Sequence, residues 1–221
     1  MGGILITIDG PAGSGKSSVA RAVADRLGLI NLNTGAAYRA VAFLALSEGT
    51  ELDAARDLAA LAGRIGLTED GARVDGQPVE EEALRSPEVA AAASKVSVHP
   101  EVRQVLLNVQ REAAAKARER DGAVIEGRDI GTVILPEADL KIFLSAAPEE
   151  RARRRAVQSG RESELERIRV AMGQRDRQDS ERETSPLKSA PDAVVIDTTG
   201  LGLEEVISRV TELAEALRGD S

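Results

Sequence analysis

The stretch from Ile4 to Gly28 constrains this chain more than any other part of it. Ile4-Leu5-Ile6-Thr7-Ile8 is a β-branched apolar run that stops at Asp9-Gly10-Pro11, the profile of a buried strand. Gly10-Pro11-Ala12-Gly13-Ser14-Gly15-Lys16-Ser17 then fits the pattern G-x-x-x-x-G-K-[ST], and Ser18 follows it. From Lys16 onward Val19, Ala20, Val23, Ala24 and Leu27 recur at helical spacing, and Gly28 stands where a helix C-cap glycine belongs. A strand, a glycine loop and a helix in that order let backbone N–H groups curl around a polyphosphate at the positive end of the helix. In such a loop Lys16 reaches the β- and γ-phosphates and the Ser17 hydroxyl ligates Mg²⁺. Residues Gly10, Pro11, Ala12, Gly13, Ser14, Gly15, Lys16, Ser17 and Ser18 are therefore the expected ATP-binding segment.

Four more runs have strand character: Leu29-Ile30-Asn31-Leu32, Ala123-Val124-Ile125-Glu126, Leu140-Lys141-Ile142-Phe143-Leu144 and Val194-Val195-Ile196-Asp197. Helical patterns lie between them, over about Ala36–Ser47, from Asp53 as a cap to Gly63, from Ser86 to Arg120 with a break at His99-Pro100, and over Leu203–Leu217. The alternation predicts an α/β fold, a core of five parallel strands flanked by helices. Between Ile65 and Val79, Asp70-Gly71 and Asp75-Gly76 read as hairpin turns in a small antiparallel insertion. Pro148 opens a highly charged helical stretch to about Arg182, broken at Ser159-Gly160. The expected organisation is a core of residues 1–62, 86–147 and 186–221, an insertion of residues 63–85, and a helical lid of residues 148–185.

Composition narrows the function. The 221 residues include no cysteine and one histidine, which excludes thiol chemistry, Cys-ligated metals and a His cluster. A net charge of −8 and aromatics at 1% argue against nucleic acid as a partner. Met1-Gly2-Gly3 carries no basic segment before the first apolar run, and charges interrupt the apolar runs well short of the roughly 20 residues of a membrane span. No membrane partner is expected, and the expected address is the cytoplasm. His99, ahead of Pro100, reads as a cap or surface residue.

Among loop-bearing nucleotide proteins, GTPases are the first rival. Asp197-Thr198-Thr199-Gly200 matches their D-x-x-G, but it lies on the last strand candidate and no N-K-x-D follows it. The length disfavours motor ATPases. A small phosphotransferase with a second, anionic substrate is left, and arginines are placed for it. Arg39 follows Asn33-Thr34-Gly35, Arg128 follows Glu126-Gly127, and Arg175, Asp179 and Arg182 are spaced i, i+4, i+7. A guanidinium fork matches phosphate bidentately. The last trio reads equally as a solvated salt-bridge ladder. Arg151, Arg154 and Arg155 share a helical face that either covers ATP phosphates or is a solvated basic surface. Glu126, at a strand's carboxyl end, is either a magnesium ligand or an ordinary surface glutamate.

The blocks Ile8–Ser17, Asn33–Arg39, Gly127-Arg128-Asp129-Ile130-Gly131-Thr132-Val133 and Arg175–Arg182, in this order, resemble the bacterial cytidylate kinases, and the likeness covers essentially the whole chain. It implies transfer of the ATP γ-phosphoryl group to CMP or dCMP, with Mg²⁺ held by Ser17 and Glu126 and an insertion that binds the monophosphate. It gives Arg39 and Arg128 to the acceptor phosphate, and Thr34, Arg103, Asp129 and Arg182 to the cytosine. Ser94, Arg175 and Asp179 fall to the sugar, Arg154 to ATP, and the catalytic charges to Lys16, Arg128 and Arg182. Asp129 can accept from the cytosine N4 amine, which uracil lacks; it serves equally as a partner for a nearby arginine. A monomer is expected. Two rivals stay open: a kinase for another small acceptor, and a regulator that binds ATP without consuming it.

Overall fold

A computed structural model describes residues 2–219. The chain divides into two compact units. One holds residues 2–3 and 32–120; the other holds residues 4–31 and 121–219.

The second unit is built on β1 (Ile4–Asp9), β6 (Gly122–Gly127), β7 (Leu140–Ser145) and β8 (Val194–Asp197). With β2 (Ile30–Asn33), in which the unit boundary falls, they make a parallel five-stranded sheet among the described residues, in the order β2-β6-β1-β7-β8. The interior strands run parallel in register, with Ile8 opposite Glu126 and Ile142, and Asp9 opposite Gly127. Buried residues alternate with nothing along β1, because both faces of a central parallel strand are covered. Ile6, Ile8, Val124, Ile142, Leu144 and Ile196 pack against Val19 and Val23 of α1 (Lys16–Leu27) and against Val206, Ile207 and Val210 of α9 (Leu203–Gly219). The charged stretch forms α7 (Pro148–Gln158) and α8 (Leu165–Glu181) around a small core of Ala152, Ala156 and Ile168. After β6 the chain makes a π-helical turn over Ile130–Ile134, which no periodicity in the sequence marks.

The first unit contains α2 (Gly35–Glu48), α3 (Ala55–Ala62), α4 (Glu81–Leu84), α5 (Pro87–Val96) and α6 (Pro100–Arg118), with an antiparallel sheet β3 (Ile65–Thr68), β4 (Gly71–Val74), β5 (Gln77–Pro78). Asp75 and Gly76 have φ of 50° and 80°, the two left-handed residues of the hairpin turn that Asp-Gly suits. Ser86 caps α5, its hydroxyl accepting from the Val89 amide at 3.2 Å. Two expectations shift. Asp53 does not cap α3, which starts one residue later from Ala54, because Asp53 is taken up in a turn whose carbonyl accepts from the Ala55 amide. His99 occupies the N-cap position of α6 without capping it, and Nε2 pairs with the Leu52 carbonyl at 2.8 Å.

Glycines at the ends of elements differ in what they tolerate. Gly28 has φ of 66° in open space, whereas a Cβ on Gly10 would lie 2.1 Å from the Leu144 carbonyl oxygen. Gly28→Ala is expected to cost about 1 kcal/mol of unfolding free energy, the left-handed penalty alone. Gly10→Ala should cost more than about 3 kcal/mol, since backbone must move. Urea melts of the two variants compare them directly.

Candidate active site

The glycine loop of the second unit is a folded nest. Gly13 and Gly15 have φ of 73° and 92°, and Gly15 is the left-handed residue that starts α1. The Arg151 carbonyl stands 2.7 Å from where a Cβ on Gly13 would be, so the loop is pressed closely by α7. Arg151 donates through Nη1 to the Ala12 carbonyl at 3.1 Å, through Nε to Ala146, and also pairs with Asp176. The Ser14 hydroxyl is buried without a hydrogen-bond partner, a polar atom turned into the loop.

Lys16 is buried at 8% exposure and donates to the Pro11 carbonyl at 2.8 Å. Burial, with help from the Arg128 and Arg175 charges, pushes its ammonium well below the usual lysine range, against the pull of Glu126 and Asp9. The Ser17 hydroxyl donates to Glu126 Oε2 at 2.7 Å. The expected magnesium pair is thus brought together from a helix start and a strand end. Two hard oxygen donors suit Mg²⁺, which keeps most of its shell for water and phosphate. Among the described residues no group of three or more His, Cys, Asp or Glu side chains that could hold a metal ion occurs.

Arg128 follows β6 and is committed on one side: Nε donates to Asp179 Oδ2 at 2.9 Å and Nη1 to the Gly10 carbonyl at 2.8 Å. Asp179 is buried on α8 and lies 3.6 Å from the Arg182 guanidinium. This pair has side-chain exposures of 7% and 8%, so Asp179 and Arg182 do not belong to a solvated ladder. Arg182 ends α8 and donates to the Ser185 carbonyl at 2.7 Å. Asp129 is buried beside Arg128. Arg154 of α7 engages all three of its nitrogens, with Glu150, the Thr198 hydroxyl and the Thr198 carbonyl. Arg155 is an exposed partner of Gln158.

In the first unit Thr34 is the buried residue that starts α2, and the Arg39 guanidinium folds back over Gly35, 3.1 Å from where a Cβ would be. Arg103 of α6 is buried with its guanidinium carbon 5.6 Å from the Tyr38 ring centre, and Nη1 lies 3.4 Å from the Ser97 carbonyl. Ser94 of α5 donates to the Ala90 carbonyl.

Sequence reasoning missed four participants. Tyr38, the chain's single tyrosine, is the aromatic face for Arg103. Asp176 partners Arg151, and Thr198 holds Arg154. Asp9 accepts from the Ile130 and Gly131 amides at 2.9 and 2.8 Å. Only Asp9 left a signal, a carboxylate at the end of a strand whose other residues carry no charge.

The family described as Cytidylate kinase matches residues 6–216. A cytidylate kinase of Desulfitobacterium hafniense is 45% identical over 218 residues, covering 95% of this chain and 92% of its own. That of Streptomyces griseus is 45% identical over 97% of this chain and 94% of its own, and that of an Exiguobacterium species 43% identical over 97% and 98%. An uncharacterized protein from Eubacterium ventriosum aligns in structure at TM-score 0.53 and 14% identity, over 96% of this chain and 98% of its own, a likeness of fold.

Burial raises the Asp9 carboxyl from 3.8 to about 6, against the two amide bonds that lower it. The folded chain therefore binds this proton more readily than the unfolded chain does. The resulting stability is fully present below pH 3.8 and lost as pH rises through about 6. Asp9→Asn removes the effect. The excess of wild-type over variant unfolding free energy should be greater at pH 4.5 than at pH 7.5 by about 2 kcal/mol in urea melts.

Proposed function

The chain belongs to the cytidylate kinase family, and on that premise we propose that it transfers the γ-phosphoryl group of ATP to CMP or dCMP, giving ADP and CDP or dCDP. The observation that carries the reading is the end of β1. There a buried lysine, disfavoured by burial and by neighbouring guanidinium groups, stands in a left-handed glycine nest beside a serine–carboxylate pair. A polyphosphate supplies the negative charge such a nest lacks.

Ser17 and Glu126 would hold Mg²⁺, which when bound neutralises charge on the β- and γ-phosphates. The backbone of Gly10–Ser18 binds the phosphates of ATP, and Lys16 places its point charge among them. Arg154 is assigned to the same phosphates, with its bonds to Thr198 exchanged on binding. On the acceptor side Arg39 and Arg128 take the monophosphate. Thr34, Arg103, Asp129 and Arg182 take the base, and Ser94, Arg175 and Asp179 the sugar. Arg128 suits its role because Asp179 and the Gly10 carbonyl occupy Nε and Nη1, leaving the Nη2 N–H pair for phosphate oxygen. The attacking oxygen is ionised at neutral pH, so no strong base is required. Lys16, Arg128 and Arg182 act by position and charge. The chain works on small molecules, as a monomer in the cytoplasm; among the described residues no helix is long and apolar enough to cross a membrane.

A coupled ADP-release assay across CMP, dCMP, UMP, dTMP, AMP and GMP tests the reading. CMP and dCMP should be the best acceptors. A different preferred acceptor overturns the substrate, and ATP binding without ADP release overturns the reaction. Lys16→Ala should lower turnover at least ~10²-fold. Asp129→Ala should lose CMP activity far more than ATP affinity, because the N4 amine loses its acceptor; equal losses would make Asp129 a structural residue.

A further inference from the structure

Arg128 and Asp129 form a two-residue bridge between fixed points. On one side β6 ends at Gly127, paired in register with Asp9 of β1. On the other the π-helical turn begins at Ile130, and the Asp9 carboxylate accepts from the first two amides of that turn, Ile130 at 2.9 Å and Gly131 at 2.8 Å. One residue thus sets both ends of the bridge, by its backbone at one end and its side chain at the other. The turn has no room to drift at this point. A Cβ on Gly131 would meet the Thr7 hydroxyl at 3.0 Å and Lys141 carbons at 3.3 Å. Asp129 lies in an unusual backbone conformation, φ −141° and ψ 26°, and its carbonyl closes the turn by accepting from the Val133 and Ile134 amides.

We infer that Asp9 is a positioning residue for acceptor recognition: its two-oxygen clamp on the Ile130 and Gly131 amides fixes where Arg128 and Asp129 stand. The inference rests on the acceptor roles proposed above for those two residues. A buried carboxylate is an expensive way to join a strand to a turn. Burial and, less strongly, the nearby Asp129 charge oppose its ionisation, and the Gly131 and Ile130 amides and Lys16 compensate only in part. An amide or hydroxyl would be less costly there but cannot accept from two N–H groups with two separate oxygens. The geometry therefore favours placement over stability as what the carboxylate supplies. Misplacing a substrate-binding group by an ångström costs on the order of 10²-fold in rate, which makes the clamp worth its burial.

Asp9→Asn keeps the shape but turns an NH₂ group toward one of the two amides. At pH 7.5 its KM for CMP should rise ~10-fold or more while its KM for ATP stays within about twofold. Amide exchange at Ile130 or Gly131, read by NMR in the absence of nucleotide, should quicken at least about tenfold. Asp9→Glu, which keeps the charge and displaces the oxygens, should show the same split if placement is what matters. A KM for CMP close to the wild-type value in both variants, or parallel rises in both KM values, overturns the inference. If neither variant folds, exchange in the wild type decides: protected Ile130 and Gly131 amides support the clamp, and rapid exchange at both overturns it. A wild type inert toward CMP removes the acceptor reading and not the clamp, which the exchange arm reads without substrate.

Discussion

Asp9, Lys16 and Glu126 are buried where β1, β6 and the start of α1 meet, and much of the second unit is arranged around keeping those charges there. Taking an ion out of water costs several kcal/mol unless partners replace the hydration. The partners here include dipoles as well as opposite charges, since Glu126 and Asp9 both favour the Lys16 ammonium. Asp9 has two amides, Lys16 the Pro11 carbonyl, and Glu126 the Ser17 hydroxyl. Dipoles offset desolvation only in part, and the Arg128 and Arg175 charges work against Lys16 as well. Burial and those guanidinium charges thus disfavour the Lys16 ammonium, which stands beside a cradle of left-handed glycines. A polyanion bound in that cradle offsets the cost of keeping the ammonium there, which is the physical content of the motif's spelling.

How much of this could be read from the amino acids depends on whether the constraint is local. Gly10, Gly13 and Gly15 were legible because the loop needs backbone that other residues cannot supply, and the structure shows the obstructing Leu144 and Arg151 carbonyls. The Asp75-Gly76 turn, the Ser86 cap and the Gly28 terminus were legible for the same reason. The π-helical turn was not, since its hydrogen bonds have no side-chain period and it depends on Asp9 from a distant strand. Asp53 misled because a good capping residue is also a good turn residue, and the turn won. His99 shows a position read correctly and a partner missed, the Leu52 carbonyl being 47 residues away in sequence.

The candidate site was legible as a set of residue types and illegible as a set of commitments. The sequence offers many guanidinium groups and no means of ranking them. Hydrogen bonding ranks some of them. Arg151 is spent on holding Ala12, Ala146 and Asp176 in place, which makes it a brace for the loop. Arg155 points to solvent beside Gln158. Arg128 is anchored on two of its three nitrogens with the third uncommitted, a pre-organised donor whose ordering entropy is met during folding.

Arg154 is the instructive contrast. With Nε on Glu150 and both terminal nitrogens on Thr198, it has no donor nitrogen without a partner in the conformation described here. Any phosphate it binds must compete with a threonine hydroxyl and carbonyl rather than with water. A charged acceptor forms the stronger hydrogen bond, so under the role proposed for Arg154 the exchange would favour the phosphate. Arg128 needs no such release. The asymmetry between an arginine already poised and one that must let go of its neighbours is a property of their partners, Asp179 and Thr198. It follows that Thr198, whose sequence neighbours match a GTPase motif, serves instead to hold Arg154.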